Sequence, residues 1–122
     1  MTEPTTDAAP SGNVYQGALA LLEEYGWVPG TNQDEQGRIC LGEAIARTVR
    51  NSDGPDAASV PDAAVSVALG RFADRLRTAG IITQSYARSV VGWNDEGGRT
   101  YEEIQNALNV ASAQCVAEGV TY

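Results

Sequence analysis

The sequence contains no histidine and no lysine, and these two gaps exclude more chemistry than any motif in it asserts. Without imidazole there is no Ser-His triad, no imidazole metal ligand and no general base that titrates near neutrality unaided. Without lysine there is no Schiff base, no lysine nucleophile and no P-loop phosphate lysine. Cysteine is scarce too. Cys40 and Cys115 are too far apart for a CxxC metal site, and a reducing cytoplasm would keep both as free thiols. No apolar run approaches the roughly 18 residues that span a bilayer, and the N-terminus has no basic stretch leading into an apolar one. The expectation is a cytoplasmic chain with no membrane association, no metal and no cofactor.

All eight cations are arginine. Arginine without lysine, beside abundant alanine and 13 glycines, suggests a GC-rich genome, such as that of an actinobacterium or one of its phages. Sixteen acids leave a formal net charge of -8. That balance disfavours direct binding to a phosphate backbone, so no nucleic-acid contact is expected. It suits solubility first, and beyond that a basic partner surface or an imitation of DNA. With 43% hydrophobic residues, the 122 residues suffice for one globular domain.

Residues 1–12 hold two prolines and little that is apolar, and are expected as a disordered tail ahead of one helical domain over 13–122. The first helix starts near Asn13, with Gln16 placed for a capping box, and carries Val14, Ala18, Leu21, Leu22 and Tyr25 on one stripe. Gly26 is expected to end it in the left-handed conformation, with Trp27 folding back onto Leu22. Turn residues fill 28–39, and a short two-stranded ribbon is expected there, Trp27-Val28 opposite Arg38-Ile39. Further helices are predicted from about Cys40 to Val49, Asp62 to Ala79, Thr83 to Val91 and Thr100 to Glu118. The last opens on a Thr100–Glu103 capping box and stops at Gly119. The fold class is all-α, five helices plus the ribbon, with Trp27 and Trp93 largely buried.

Trp93-Asn94-Asp95 is the most site-like cluster. An indole beside an amide and a carboxylate can hold a polar ligand. The plainer reading makes Trp93 a core plug while Asn94 and Asp95 bond their own turn, with Arg99 pairing Asp95. Glu43 facing Asp95 across the fold would be the carboxylate pair of a hydrolase. Neighbouring acids such as Glu102 and Glu103 diverge by about 100° on a helix and cannot face each other. Arg71, Arg75 and Arg77, joined by Arg88, read as a solvated helix face with local ion pairs. The same helix carries Val67, Ala68 and alanines 63, 64 and 73, a surface for a two-fold homodimer.

Gly26-Trp27, Gly37-Arg38-Ile39-Cys40-Leu41-Gly42-Glu43-Ala44 and Val91-Gly92-Trp93-Asn94-Asp95 with Arg99-Thr100 together resemble a family of small uncharacterised proteins. It is a domain of unknown function found in actinobacteria and their bacteriophages. The likeness spans roughly residues 14–113 and is most specific at Trp-Asn-Asp…Arg-Thr. It implies no activity and no catalytic residues. The leading expectation is a non-enzymatic interaction protein, phage-encoded, that binds a host protein in the host cytoplasm. Trp93, Asn94, Asp95, Arg99 and Glu43 are its expected partner or ligand surface. The alternative is a DNA mimic that inhibits a DNA-binding protein, and behind it a carboxylate-based enzyme.

Overall fold

Asn13 starts the first helix by local chemistry. Its side chain accepts the Gln16 N–H at 3.0 Å while the Gln16 side chain accepts the Asn13 N–H at 3.1 Å. The computed structural model describes residues 13–51, 62–82 and 88–122. The expected tail over 1–12 lies outside the described residues, as does most of the loop leading to Pro61. Five helices follow in order: α1 (Val14–Tyr25), α2 (Leu41–Asn51), α3 (Asp62–Thr78), α4 (Arg88–Asp95) and α5 (Tyr101–Glu118). None of them is long and apolar enough to cross a membrane among the described residues.

The helices share one apolar core. α1 packs on α2 and α5, α3 packs on α2, α4 and α5, and α2 also meets α4. Tyr15 of α1 stacks on Phe72 of α3 with ring centroids 5.1 Å apart, and both rings are fully buried. The α1 stripe is therefore rotated from the expected one, since Tyr15 is inside and Tyr25 is 43% exposed. Close approach of α1 to α2 needs Gly17, where an added Cβ would stand 2.5 Å from Thr48 Cγ2. On α3, Ala68 and Ala73 are fully buried, so they are core rather than a free dimer face. Val67 does remain exposed at 49%.

The expected ribbon does not form. Trp27 and Ile39 make an isolated parallel bridge, and Gln33 and Ile39 an isolated antiparallel one. The reason is local. Pro29 has no N–H to donate to a ladder. Asp34 then curls the segment by accepting the Gln36 and Arg38 N–H groups on one carboxylate oxygen, at 3.1 and 2.8 Å. What survives at the first bridge is a crossing in which Val28 N–H donates to Ile39 O at 3.0 Å and Ile39 N–H to Gly26 O at 2.9 Å, while at the second Cys40 N–H donates to Asn32 O at 3.1 Å. Gly26 has positive φ (92°), but its ψ of 154° lies far from the left-handed helical turn expected. That extended glycine backbone sends the chain directly into the crossing.

α5 ends as expected at Gly119, in the left-handed conformation with φ 72°. The next residues fold back over α1 and α3. Val14 N–H donates to Thr121 O at 2.8 Å, Arg75 Nη2 donates to Tyr122 O at 3.0 Å, and Arg71 lies 5.1 Å from the Tyr122 ring centroid. Each tie contributes about 1 kcal/mol. Ordering each residue of the segment costs about 1–2 kcal/mol. Val120 N–H also donates to Cys115 O at 3.1 Å and Tyr122 is partly buried against the core, so the short strap is anchored along its length.

Candidate functional site

The two tryptophan motifs meet. Asn94 lies in the last turn of α4, which runs on through Asp95 rather than stopping before Trp93 as the sequence suggests. Its side chain is 1% exposed. The amide oxygen accepts the Trp27 indole N–H at 2.7 Å and the Leu41 backbone N–H at 3.0 Å. Its nitrogen donates to Asp95 Oδ1 at 2.8 Å, and the same oxygen accepts the Gly30 N–H at 2.7 Å. Asn94 and Asp95 therefore latch α4 to the 26–41 segment instead of closing their own turn. Leu41 N–H is among the donors that a helix start leaves without an intrahelical partner. Asn94 caps α2 from 53 positions away.

Cys40 completes that cap. Its sulfur accepts the Glu43 N–H at 3.3 Å and lies 3.9 Å from Asn32 Oδ1. Burial pushes the Cys40 thiol up, and the charges of Glu43 and Asp95 add to the rise. A protonated buried thiol is a poor nucleophile. Asp95 is engaged by Gly30 and Asn94, while Glu43 is engaged within its own helix. The Glu43 carboxylate holds Arg47 one turn on at 2.8 Å.

Arg99 departs from expectation as well. It pairs with Glu96 and with Glu103 (3.1 Å), donates Nε–H to Trp93 O at 2.9 Å, and stacks 4.1 Å from the Trp93 ring centroid. Asp95 is turned toward Gly30, and Glu96 and Glu103 take the place at Arg99 that was expected for it. Both tryptophans are only half-buried, because Trp27 directs its N–H to the latch and Trp93 offers one face to Arg99. Beside Trp93 an open groove of about 440 Å³ is lined by Ile81, Arg99, Thr100, Glu102, Glu103 and Asn106.

A second polar cluster escapes the sequence reading. Arg75, expected on a solvated face, is 9% exposed. Its guanidinium donates to both Glu118 oxygens (3.0 and 3.1 Å) and to Gln114 Oε1 at 3.2 Å. The fork holds the Glu118 carboxyl below the usual carboxylate range. Beneath it, burial pushes the Tyr15 hydroxyl up to about 12 and raises the Cys115 thiol. Arg71 and Arg77 are exposed as expected, while the side chain of Arg88 lies outside the described residues. The signal for Arg75 was its position three residues beyond Phe72 on the buried stripe, which its charge concealed.

The latch joins the two halves of the motif pattern, and both halves lie within a stretch that a family model matches. A model described as a family of unknown function (DUF6197) matches residues 6–114, and the chain belongs to that family. The match stops before Cys115, Glu118 and the strap. No curated protein and no solved structure matches the chain.

Proposed function

We propose that this protein is a small non-enzymatic interaction protein that binds another protein. We further propose that it is a bacteriophage accessory protein whose partner belongs to an actinobacterial host. The observation that carries the reading is the internal engagement of the Trp-Asn-Asp cluster. Asn94, Asp95 and Arg99 each bond to groups of this chain, so the cluster holds elements together, and the adjoining surface is left to face a partner. That surface combines the half-buried Trp93 and Ile81 with Glu96, Glu102 and Glu103 against Arg99 alone. An apolar floor with an acidic rim suits a basic protein surface. Origin in an actinobacterium or its phage is supported by the arginine-only cations.

DNA mimicry is less favoured. Asp34, Glu43, Glu96, Glu103 and Glu118 each pair with an arginine, which breaks up the continuous negative face that mimicry needs. The test is affinity capture from an actinobacterial lysate with the unaltered chain and with Glu102→Arg. A stoichiometric partner that is lost with Glu102→Arg is expected. Capture of nothing stoichiometric by either chain sinks the reading.

A further inference from the structure

The groove beside Trp93 carries polar groups that the fold does not use. Glu102 and Asn106 stand one turn apart on α5, and both line the groove. Among the described residues neither side chain makes a hydrogen bond or an ion pair. Their neighbours are engaged. Glu103 accepts the Thr100 N–H on one oxygen at 2.9 Å and meets Arg99 with the other at 3.1 Å, while Arg99 is also held by Glu96 and by Trp93 O. We infer, resting on the reading of this groove as the partner-facing surface, that it takes an arginine side chain of the partner protein. The guanidinium pairs with Glu102 and Asn106, and the methylene stem lies along Ile81 and Trp93.

The chemistry of the lining selects this group. An apolar floor with a free carboxylate and a free amide on one side suits a ligand with an apolar stem and a cationic, donor-rich end, which the long basic side chains combine. The guanidinium is planar and weakly hydrated and offers five donors in a fixed fork, so it pairs a carboxylate on two bonds and still donates to an amide oxygen. An ammonium is a strongly hydrated point charge and leaves water for an apolar floor less readily. Charge points the same way. Glu96, Glu102 and Glu103 surround Arg99 alone, so the rim stays negative after the internal pairs have formed. The positive end of the α5 dipole would oppose a cation, but Glu103 at the Thr100 N–H already answers it. The chain holds a guanidinium in the same manner next door, where Arg99 lies 4.1 Å from the Trp93 ring centroid with its charged end on Glu103.

The test titrates the probe acetyl-Arg-Leu-Arg-amide into the full chain at low salt and follows the Trp93 indole and Ile81 methyl resonances. Saturable shifts at both are expected. Citrulline in place of both arginines keeps the shape of the probe and removes its charge, and should abolish the shifts. Acetyl-Lys-Leu-Lys-amide should bind more weakly. Glu102→Gln should weaken the arginine probe about fivefold. It leaves the Thr100–Glu103 box intact, so the helix start is kept. Glu35→Gln removes the same charge from an exposed residue outside the groove and should leave binding unchanged. Binding that survives citrulline, or that the lysine probe matches, overturns the assignment to arginine. An equal loss in Glu102→Gln and Glu35→Gln, or no saturable shift at Trp93 and Ile81, overturns the site. A lysate partner lost with Glu102→Arg while the probe fails to bind removes the arginine anchor and keeps the groove as a partner surface. A probe that binds while no partner is captured keeps the arginine site and sinks the wider reading.

Discussion

At the start of α5, Thr100 accepts the Glu103 N–H at 3.2 Å, and Glu103 reaches back to the Thr100 N–H at 2.9 Å, so four consecutive residues satisfy the helix end. At the start of α2 the same need is met by a sulfur and by an amide from another helix. Cys40 takes the Glu43 N–H and Asn94 takes the Leu41 N–H. The two solutions differ in what they connect. The α5 box secures only its own helix. The Asn94 cap also binds Trp27 and, through Asp95, Gly30, so one side chain ties helix, crossing and turn together. A cap contributed from a distance is thus a tertiary contact, and its loss should be felt throughout the domain.

That contrast can be broken most directly at Asn94. Asn94→Ala leaves the Trp27 indole and the buried Leu41 N–H without their acceptor, and should cost about 3 kcal/mol in urea unfolding. A loss no larger than that of an ordinary cap would show that the latch is dispensable. Asn94→Asp keeps the acceptor but sets a second carboxylate beside Asp95, so it should be tolerated better at about pH 4 than at neutrality. Thr100→Ala should cost about 1 kcal/mol, with the effect confined to α5. Amide exchange would accelerate over Glu102 and Glu103 and leave Leu41 unchanged.

The two starts should also fail at opposite ends of the pH scale. The Cys40 thiol is raised by burial, so it ionises first in the unfolded chain, and the stability it carries is lost as pH rises past about 8.5. Cys40→Ser keeps an acceptor that does not titrate there and should flatten that part of the decline. Cys115, Tyr101 and Tyr15, the last with its value near 12, are also raised by burial and contribute to the remainder. Glu103 behaves in reverse. The Thr100 N–H holds its carboxyl below the usual range, so its contribution is present above about pH 4.3 and lost as pH falls further. This should be the smallest effect, because the group is exposed and salt weakens it. Glu103→Gln should shallow the acid limb at low ionic strength, and an unchanged limb would deny Glu103 that role.

Several features governed by a few consecutive residues could be read from the sequence. The Asn13 and Thr100 boxes, the stop at Gly119 and the inward faces of α2 and α5 follow from side chains that reach their partners within one helical turn. The choice of Trp93, Asn94, Asp95 and Arg99 as a special group also came from the sequence. Their roles did not, because an amide has the same chemistry whether it closes its own turn or caps a helix 53 positions away. Only the packing of α4 against α2 brings Asn94 to Leu41 and Trp27, and turns Asp95 to Gly30 instead of Arg99. The ribbon failed for a local reason: Asp34 took the Arg38 N–H that the ribbon would have paired, and the Gln36 N–H with it. Arg75 marks the limit most plainly. Whether a charged residue on an apolar stripe stays in water or goes inside depends on a partner such as Glu118 standing opposite, and distance along the chain carries no information about that.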